Sequence, residues 1–108
     1  MKKENNPANV FDEQKLYDLL LELPRGCVVT YAKLADMLGN RKWARVVGNA
    51  LHKNPDGDKY PCYKVVNCKG ELSNSYAYGG MDGQRQRLEA DGIGVVNGRV
   101  DLKKYGVD

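Results

Sequence analysis

Residues 30–55, TYAKLADMLGNRKWARVVGNALHKNP, carry two helical periods separated by one short turn. In the first, Leu34, Ala35 and Leu38 form an apolar stripe. Thr30 is suited to cap its start, and Gly39 to end it as the residue just past the last turn. In the second, Trp43, Val46, Val47, Ala50 and Leu51 fall at i, i+3, i+4, i+7 and i+8, which predicts a helix with one buried face. Two short helices joined by a turn around a glycine predict a helix-turn-helix. Arg45, Gly48, Asn49 and His52 share the opposite side of the second helix. A glycine in a helix interior costs ~1 kcal/mol against alanine. Its presence beside basic and amide donors suits close approach to another molecule's backbone.

The charge distribution points the same way. The chain has 108 residues and a net charge of +3. Residues 1–38 carry five basic and six acidic side chains, and residues 54–108 carry eight of each. Residues 39–53 carry Arg41, Lys42, Arg45 and Lys53 with no acid, so the whole positive excess lies in one segment. A phosphate backbone selects such a stretch, because each Lys or Arg contact releases condensed counterions. A solvated helix face is the alternative explanation of a charge cluster, and Gly48 on that face tells against it.

Outward from this segment, FDEQKLYDLLLELP reads as a helix with Leu16, Leu19, Leu20 and Leu23 buried. Asp12 can cap it, Phe11 can staple to Leu16, and Pro24 with Gly26 stops it. CVV at 27–29 is a short extended entry. Asn54–Tyr60 reads as a loop, 61–66 as a short extended segment, and SNSYAYGG as a loop of small and aromatic residues. DGQRQRLEADG predicts a helix closed by Gly92. Asn97-Gly98 between IGVV and RVDL is a hairpin turn signal. The expected fold class is α+β and mostly helical: a winged-helix-like helix-turn-helix domain with a small C-terminal β-hairpin. Residues 1–10 are expected to be a flexible start and residues 11–108 a single domain.

Composition bounds the function classes. Hydrophobic residues make up 42% and charged residues 29%, a globular balance. No apolar run approaches the ~20 residues of a membrane span, and no secretory signal is visible, so the expected location is cytoplasmic, or nucleoid-associated in a bacterium. One His and three Cys without a C-x2-C pair give no metal site, and no phosphate-cradling glycine loop is present. No cofactor is expected.

Among the cysteines, Cys27 reads as core and Cys68 as an exposed turn residue. Cys62 follows a proline at the end of a loop. It is either a buried inert thiol or a nucleophile whose thiolate needs stabilising. Lys64 supplies that field if the segment is extended and both side chains share a face.

The runs VVTYAKLADMLG, ARVVGNALHKNP and PCYKVV, followed by GG-x9-ADG, resemble the carboxy-terminal domain of O6-alkylguanine-DNA alkyltransferases, over residues 11–96 in the same order and spacing. The resemblance implies a helix-turn-helix in the DNA minor groove, extrusion of the damaged guanine, and transfer of its alkyl group to a cysteine. It implies that Cys62 stands at the acceptor position and that Tyr31 crowds the target phosphate. Arg45 would be the finger that fills the gap left by the flipped base, and Asn54 would brace the active-site loop. Asp91 falls where an acid orients the catalytic histidine, and Tyr78, Gly79 and Gly80 lie in the loop that walls the base pocket. Lys42, Gly48, Asn49, His52 and Lys53 complete the expected DNA-binding set.

Two departures separate this chain from that pattern. Tyr63 occupies the histidine's place and Lys64 the arginine's. A tyrosine, with a pKa of ~10 against ~6.5 for histidine, is a poor base at neutral pH, and loss of a general base forfeits about 10²–10⁴ in rate. The resemblance is confined to the carboxy-terminal domain, and the amino-terminal domain of full-length alkyltransferases is not expected here. The ending LEADGIGVVNGRVDLKKYG resembles the alkyltransferase-like proteins, which bind alkylated guanine without turnover and flag it for nucleotide excision repair. Those proteins usually carry tryptophan or alanine in place of the cysteine. The resemblance thus implies a lesion sensor, ahead of a plain groove binder that kept only the fold, with a minimal methyltransferase using Cys62 as the alternative. The implied partners are double-stranded DNA with alkylated guanine and nucleotide excision repair proteins, met by a monomer.

Overall fold

The computed structural model describes residues 10–107; the expected loose start, apart from Val10, lies outside the described residues. Helix α1 spans Glu13–Glu22, its first turn capped by the Asp12 carboxylate accepting from the Lys15 N–H at 3.2 Å. Phe11, just before the cap, packs edge-on against Trp43. Strand β1 (Val29–Thr30) runs directly into α2 (Tyr31–Met37), with Thr30 accepting from the Lys33 N–H as cap. A 3₁₀ turn at Arg41–Trp43 leads into α3 (Ala44–His52), and α2 and α3 pack as the expected helix pair.

The second half departs more from expectation. Residues 61–66 are not one extended segment: Cys62–Lys64 form a 3₁₀ turn and only Val65–Val66 form a strand, β2. Strand β2 pairs in parallel with β1, Val29 opposite Val65 and Thr30 opposite Val66. Helix α4 (Gly80–Ala90) follows, then the hairpin β3 (Val95–Val96) and β4 (Arg99–Val100). Asn97 and Gly98 both have positive φ, the backbone a two-residue turn of this hand requires. A further helical turn, α5 (Leu102–Tyr105), capped by Asp101, was not expected from the sequence.

Side chains alternate across the β1–β2 ladder and divide the interior in two. Val29 and Val65 join Leu16, Leu20, Leu34, Val47 and Leu51 in one core. Val28 and Val66 join Leu72, Leu88, Ile93 and Val100 in the other. On α3 the buried face is narrower than the period predicts: Val47, Ala50 and Leu51 are buried, whereas Val46 is 40% exposed and Trp43 half-buried. Residues at the edge of its apolar stripe reach solvent.

Candidate nucleic-acid interface

The solvent side of α3 forms one wall of an open groove of about 630 Å³. Arg45, Gly48, Asn49, His52 and Lys53 line it together with Tyr31, the first residue of α2, and with Ser73 and Ser75 from the loop before α4. Lys42 is exposed on the preceding 3₁₀ turn, outside the groove lining. Among the described residues no carboxylate is paired with Arg41, Lys42, Arg45 or Lys53, while Arg25, Lys64, Arg85, Arg87 and Arg99 all have acidic partners. Among the described residues the positive charges of this face thus stand without a paired carboxylate. Gly48 leaves space beside the Tyr31 ring, where an added methyl would make ordinary contact at 3.8 Å.

Behind the groove lies a cavity of about 40 Å³, lined by Cys62, Leu51, Val65, Tyr76, Ala77 and Gln84. The two spaces share Tyr31, Gly48, His52, Ser73 and Ser75 as walls. Burial pushes the Tyr31 hydroxyl up, with the Ser73 side chain acting partly against it. Ring nitrogen Nδ1 of His52 meets the Ser75 carbonyl oxygen at 2.8 Å, tying this loop to α3.

Cys62 is 5% exposed, and its sulfur accepts from Asn54 Nδ2 at 3.1 Å. The same Asn54 amide donates to the Tyr60 carbonyl at 2.8 Å, and Asn54 Oδ1 accepts from the Asp56 N–H at 3.0 Å. Asn54 thus joins the end of α3 to the turn that carries the cysteine. Burial pushes the Cys62 thiol up; the Asn54 hydrogen bond and the Arg87 guanidinium pull it partly back. At neutral pH the sulfur is a neutral thiol.

The structure separates several residues that the sequence grouped. The 3₁₀ turn rotates Lys64 away from Cys62. Its Nζ donates to the Pro24 carbonyl at 2.8 Å and stands 3.6 Å from Asp91 Oδ2, both side chains buried. Lys64 fastens the end of α1 to the end of α4 and does not supply the thiolate field. Tyr63 is half-buried with its phenol against Asp91; burial first, then that carboxylate, push its pKa up. Asp91 also accepts from the Gly26 N–H at 3.3 Å and meets Arg25 at 3.5 Å. It pairs with Lys64 and Arg25 where the resemblance implies a catalytic histidine.

Tyr78, Gly79 and Gly80 stand behind the cavity wall; Ser73, Ser75, Tyr76 and Ala77 form the wall itself. Tyr78 braces from outside, its hydroxyl donating to the Asn54 carbonyl at 2.6 Å, and Gly79 and Gly80 open α4. Sequence reasoning pointed to none of the four wall residues. It also missed Gln84, 1% exposed, whose amide donates to the Tyr63 and Val65 carbonyls and accepts from the Ser73 N–H. A loop alternating small and aromatic residues ahead of Gly-Gly was the available signal for the wall; nothing marked Gln84. Among the described residues no cluster of His, Cys, Asp and Glu could hold a metal ion, and no helix is long and apolar enough to cross a membrane.

Comparison with known proteins places this arrangement. Residues 12–93 match the family model for the 6-O-methylguanine DNA methyltransferase, DNA binding domain. The chain is 38% identical over 92 residues to a DNA base-flipping protein of Vibrio parahaemolyticus, covering 84% of this chain and 90% of that one. It is 47% identical over 90 residues to a bifunctional methyltransferase/endonuclease of Picrophilus torridus, spanning 83% of this chain and 30% of that protein's length. In structure it is similar to Atl1 of Schizosaccharomyces pombe, solved in complex with damaged DNA containing O6-carboxymethylguanine. The TM-score is 0.81 at 29% identity, over 89% of this chain and 94% of Atl1. With three quarters of its length in that match, the chain belongs to the family of the 6-O-methylguanine DNA methyltransferase DNA-binding domain.

Proposed function

We propose that this protein binds double-stranded DNA carrying an O6-alkylated guanine, extrudes the damaged base, and acts as a lesion sensor without turnover. One observation carries the reading: the basic groove of α3 and the cavity of Cys62 share their walls. A duplex held in that groove lies against the wall of the cysteine cavity, which opens outward to admit a base. Arg45 enters the minor groove and fills the vacated stack, Tyr31 turns the target nucleotide, and Lys42 and Lys53 hold phosphates. Base extrusion costs a few kcal/mol and least for a poorly paired base, so a lesion is favoured before any direct contact. Minor-groove insertion and bending recover that cost through added backbone contacts. The protein acts as a monomer, and nucleotide excision repair proteins are its downstream partners.

The chemistry around Cys62 supports binding over transfer. Its thiol is neutral at physiological pH, Lys64 points elsewhere, and Tyr63 faces a carboxylate. Fluorescence anisotropy with matched duplexes containing O6-methylguanine or guanine tests the reading; preference for the lesion is expected, and equal affinities would overturn it.

A second reading, methyl transfer to Cys62, is favoured by one observation: Cys62 lines the cavity, and its sulfur accepts a hydrogen bond from Asn54. Intact-protein mass spectrometry after incubation with the lesion duplex decides it. A gain of one methyl group, absent in Cys62→Ala, would establish an acceptor. An unchanged mass leaves the sensor.

A further inference from the structure

The wall of the Cys62 cavity contains an unused hydrogen-bonding group. Tyr76 is 9% exposed, and its hydroxyl is the one buried side-chain polar atom among the described residues that has no hydrogen-bond partner. Other polar side chains of the wall and its support have partners of their own. Gln84 makes three bonds to the main chain, Ser73 Oγ accepts from the Ser75 N–H, and the Tyr78 hydroxyl donates to Asn54. The Tyr76 ring is held on its own account, packed in the first core and edge-on to Tyr78. Phenylalanine would supply the same packing without an orphaned hydroxyl, so packing does not explain the hydroxyl.

The hydroxyl keeps its proton over the whole physiological range, since burial and then the neighbouring Cys62 push its pKa up to about 12. It therefore offers a donor, and its occupant must bring an acceptor. If the proposed function holds, the base enters with its alkylated O6 toward the cysteine, which turns the O6/N7 edge into the cavity that Tyr76 and Cys62 both line. Guanine carries two acceptors on that edge, O6 and N7. Alkylation makes O6 an ether oxygen, crowded by its substituent, so N7 is the stronger acceptor remaining.

We infer that the Tyr76 hydroxyl donates a hydrogen bond to N7 of the extruded O6-alkylguanine and so helps to select a purine for the cavity. This rests on the base-extrusion reading above. The cavity as it stands has room for little more than a water molecule. Entry of a base therefore requires the 73–77 wall to move outward, carrying Tyr76 with it.

A four-cornered binding cycle tests the inference. Wild type and Tyr76→Phe are each titrated with duplexes containing O6-methylguanine or 7-deaza-O6-methylguanine, which lacks the N7 acceptor. Wild type should lose about tenfold on the 7-deaza duplex, equivalent to about 1.4 kcal/mol. Tyr76→Phe should lose about as much on O6-methylguanine and nothing further on the 7-deaza duplex. Losses that multiply independently, or a wild type indifferent to N7, would overturn the inference while leaving base extrusion standing. A wild type that does not prefer O6-methylguanine to guanine would remove both. If Tyr76→Phe fails to fold, a wild type indifferent to N7 still overturns the inference.

Discussion

The side-chain amide of Asn54 donates to the sulfur of Cys62 at 3.1 Å and to the carbonyl of Tyr60 at 2.8 Å, so one residue at the end of α3 fixes both the cysteine and the turn before it. A donor aimed at sulfur favours the thiolate, and burial opposes it. Burial prevails.

Removing the donor should make the thiol less reactive. In a Cys27→Ser/Cys68→Ser background, Asn54→Ala should lower the rate of Cys62 alkylation by iodoacetamide at pH 8 by about tenfold. That corresponds to about 1.4 kcal/mol for a hydrogen bond to a charged acceptor. An unchanged rate would mean that the contact positions the turn without acting on the sulfur.

Alkaline pH should destabilise the fold in two stages. Cys62, Tyr17, Tyr31, Tyr63 and Tyr76 all have pKa values raised by burial. The unfolded chain therefore releases these protons first, and stability falls as pH rises. The loss begins near pH 9 with the cysteine and deepens from pH 10 to about 12 with the tyrosines. Urea denaturation between pH 8 and 11 should show this decline, and Tyr76→Phe should decline less above pH 10. Parallel curves for the two proteins would deny the hydroxyl its buried setting.

Lys64→Met should cost about 3 kcal/mol in denaturant unfolding, because it takes away the buried cation and leaves the Asp91 carboxylate beside the Tyr63 phenol, one backbone N–H and the exposed Arg25. Lys64→Met/Asp91→Asn should cost less than the single change. The alkylation rate of Cys62 should stay the same in Lys64→Met; a slower thiol would restore the electrostatic role that the 3₁₀ turn denies this lysine.

Two substitutions on the basic face should separate lesion recognition from phosphate contact. Arg45→Ala should weaken binding to an O6-methylguanine duplex much more than to an undamaged one, and equal losses would exclude insertion into the stack. Lys42→Ala should weaken both alike and reduce the salt dependence by about one unit of slope. An unaltered slope would leave Lys42 a solvent-facing residue.

The legible parts of the molecule are those whose physics is local. Val47, Ala50 and Leu51 mark α3 by their period, Asp12 and Thr30 sit at helix starts as caps, and Asn97-Gly98 turns the hairpin. The Asp101 cap is hidden in the sequence, because α5 is a single turn with no apolar period. The groove set Arg45, Gly48, Asn49 and His52 was visible as a helical face. The cavity was not. Its wall comes from a loop whose residues have no period, and its lining includes Gln84, a buried polar side chain held by three main-chain partners. The Pro61–Val66 stretch misled for a related reason: a three-residue 3₁₀ turn changes which neighbours share a face, and nothing in the residue types announces it.

The parallel ladder between Val29–Thr30 and Val65–Val66 also sets an order of assembly. Its partners lie 36 residues apart, and Tyr31 and Cys62 each sit within three residues of it. The helix pair between them is built from contacts close in sequence and closes quickly; the ladder must wait for a long chain segment to return, against the entropy of that loop. On a growing chain the segment of the basic face is therefore complete before the strand that closes the cysteine pocket has been made. A nascent or truncated polypeptide ending ahead of Val65 would have charge for any duplex and no means of telling a damaged one.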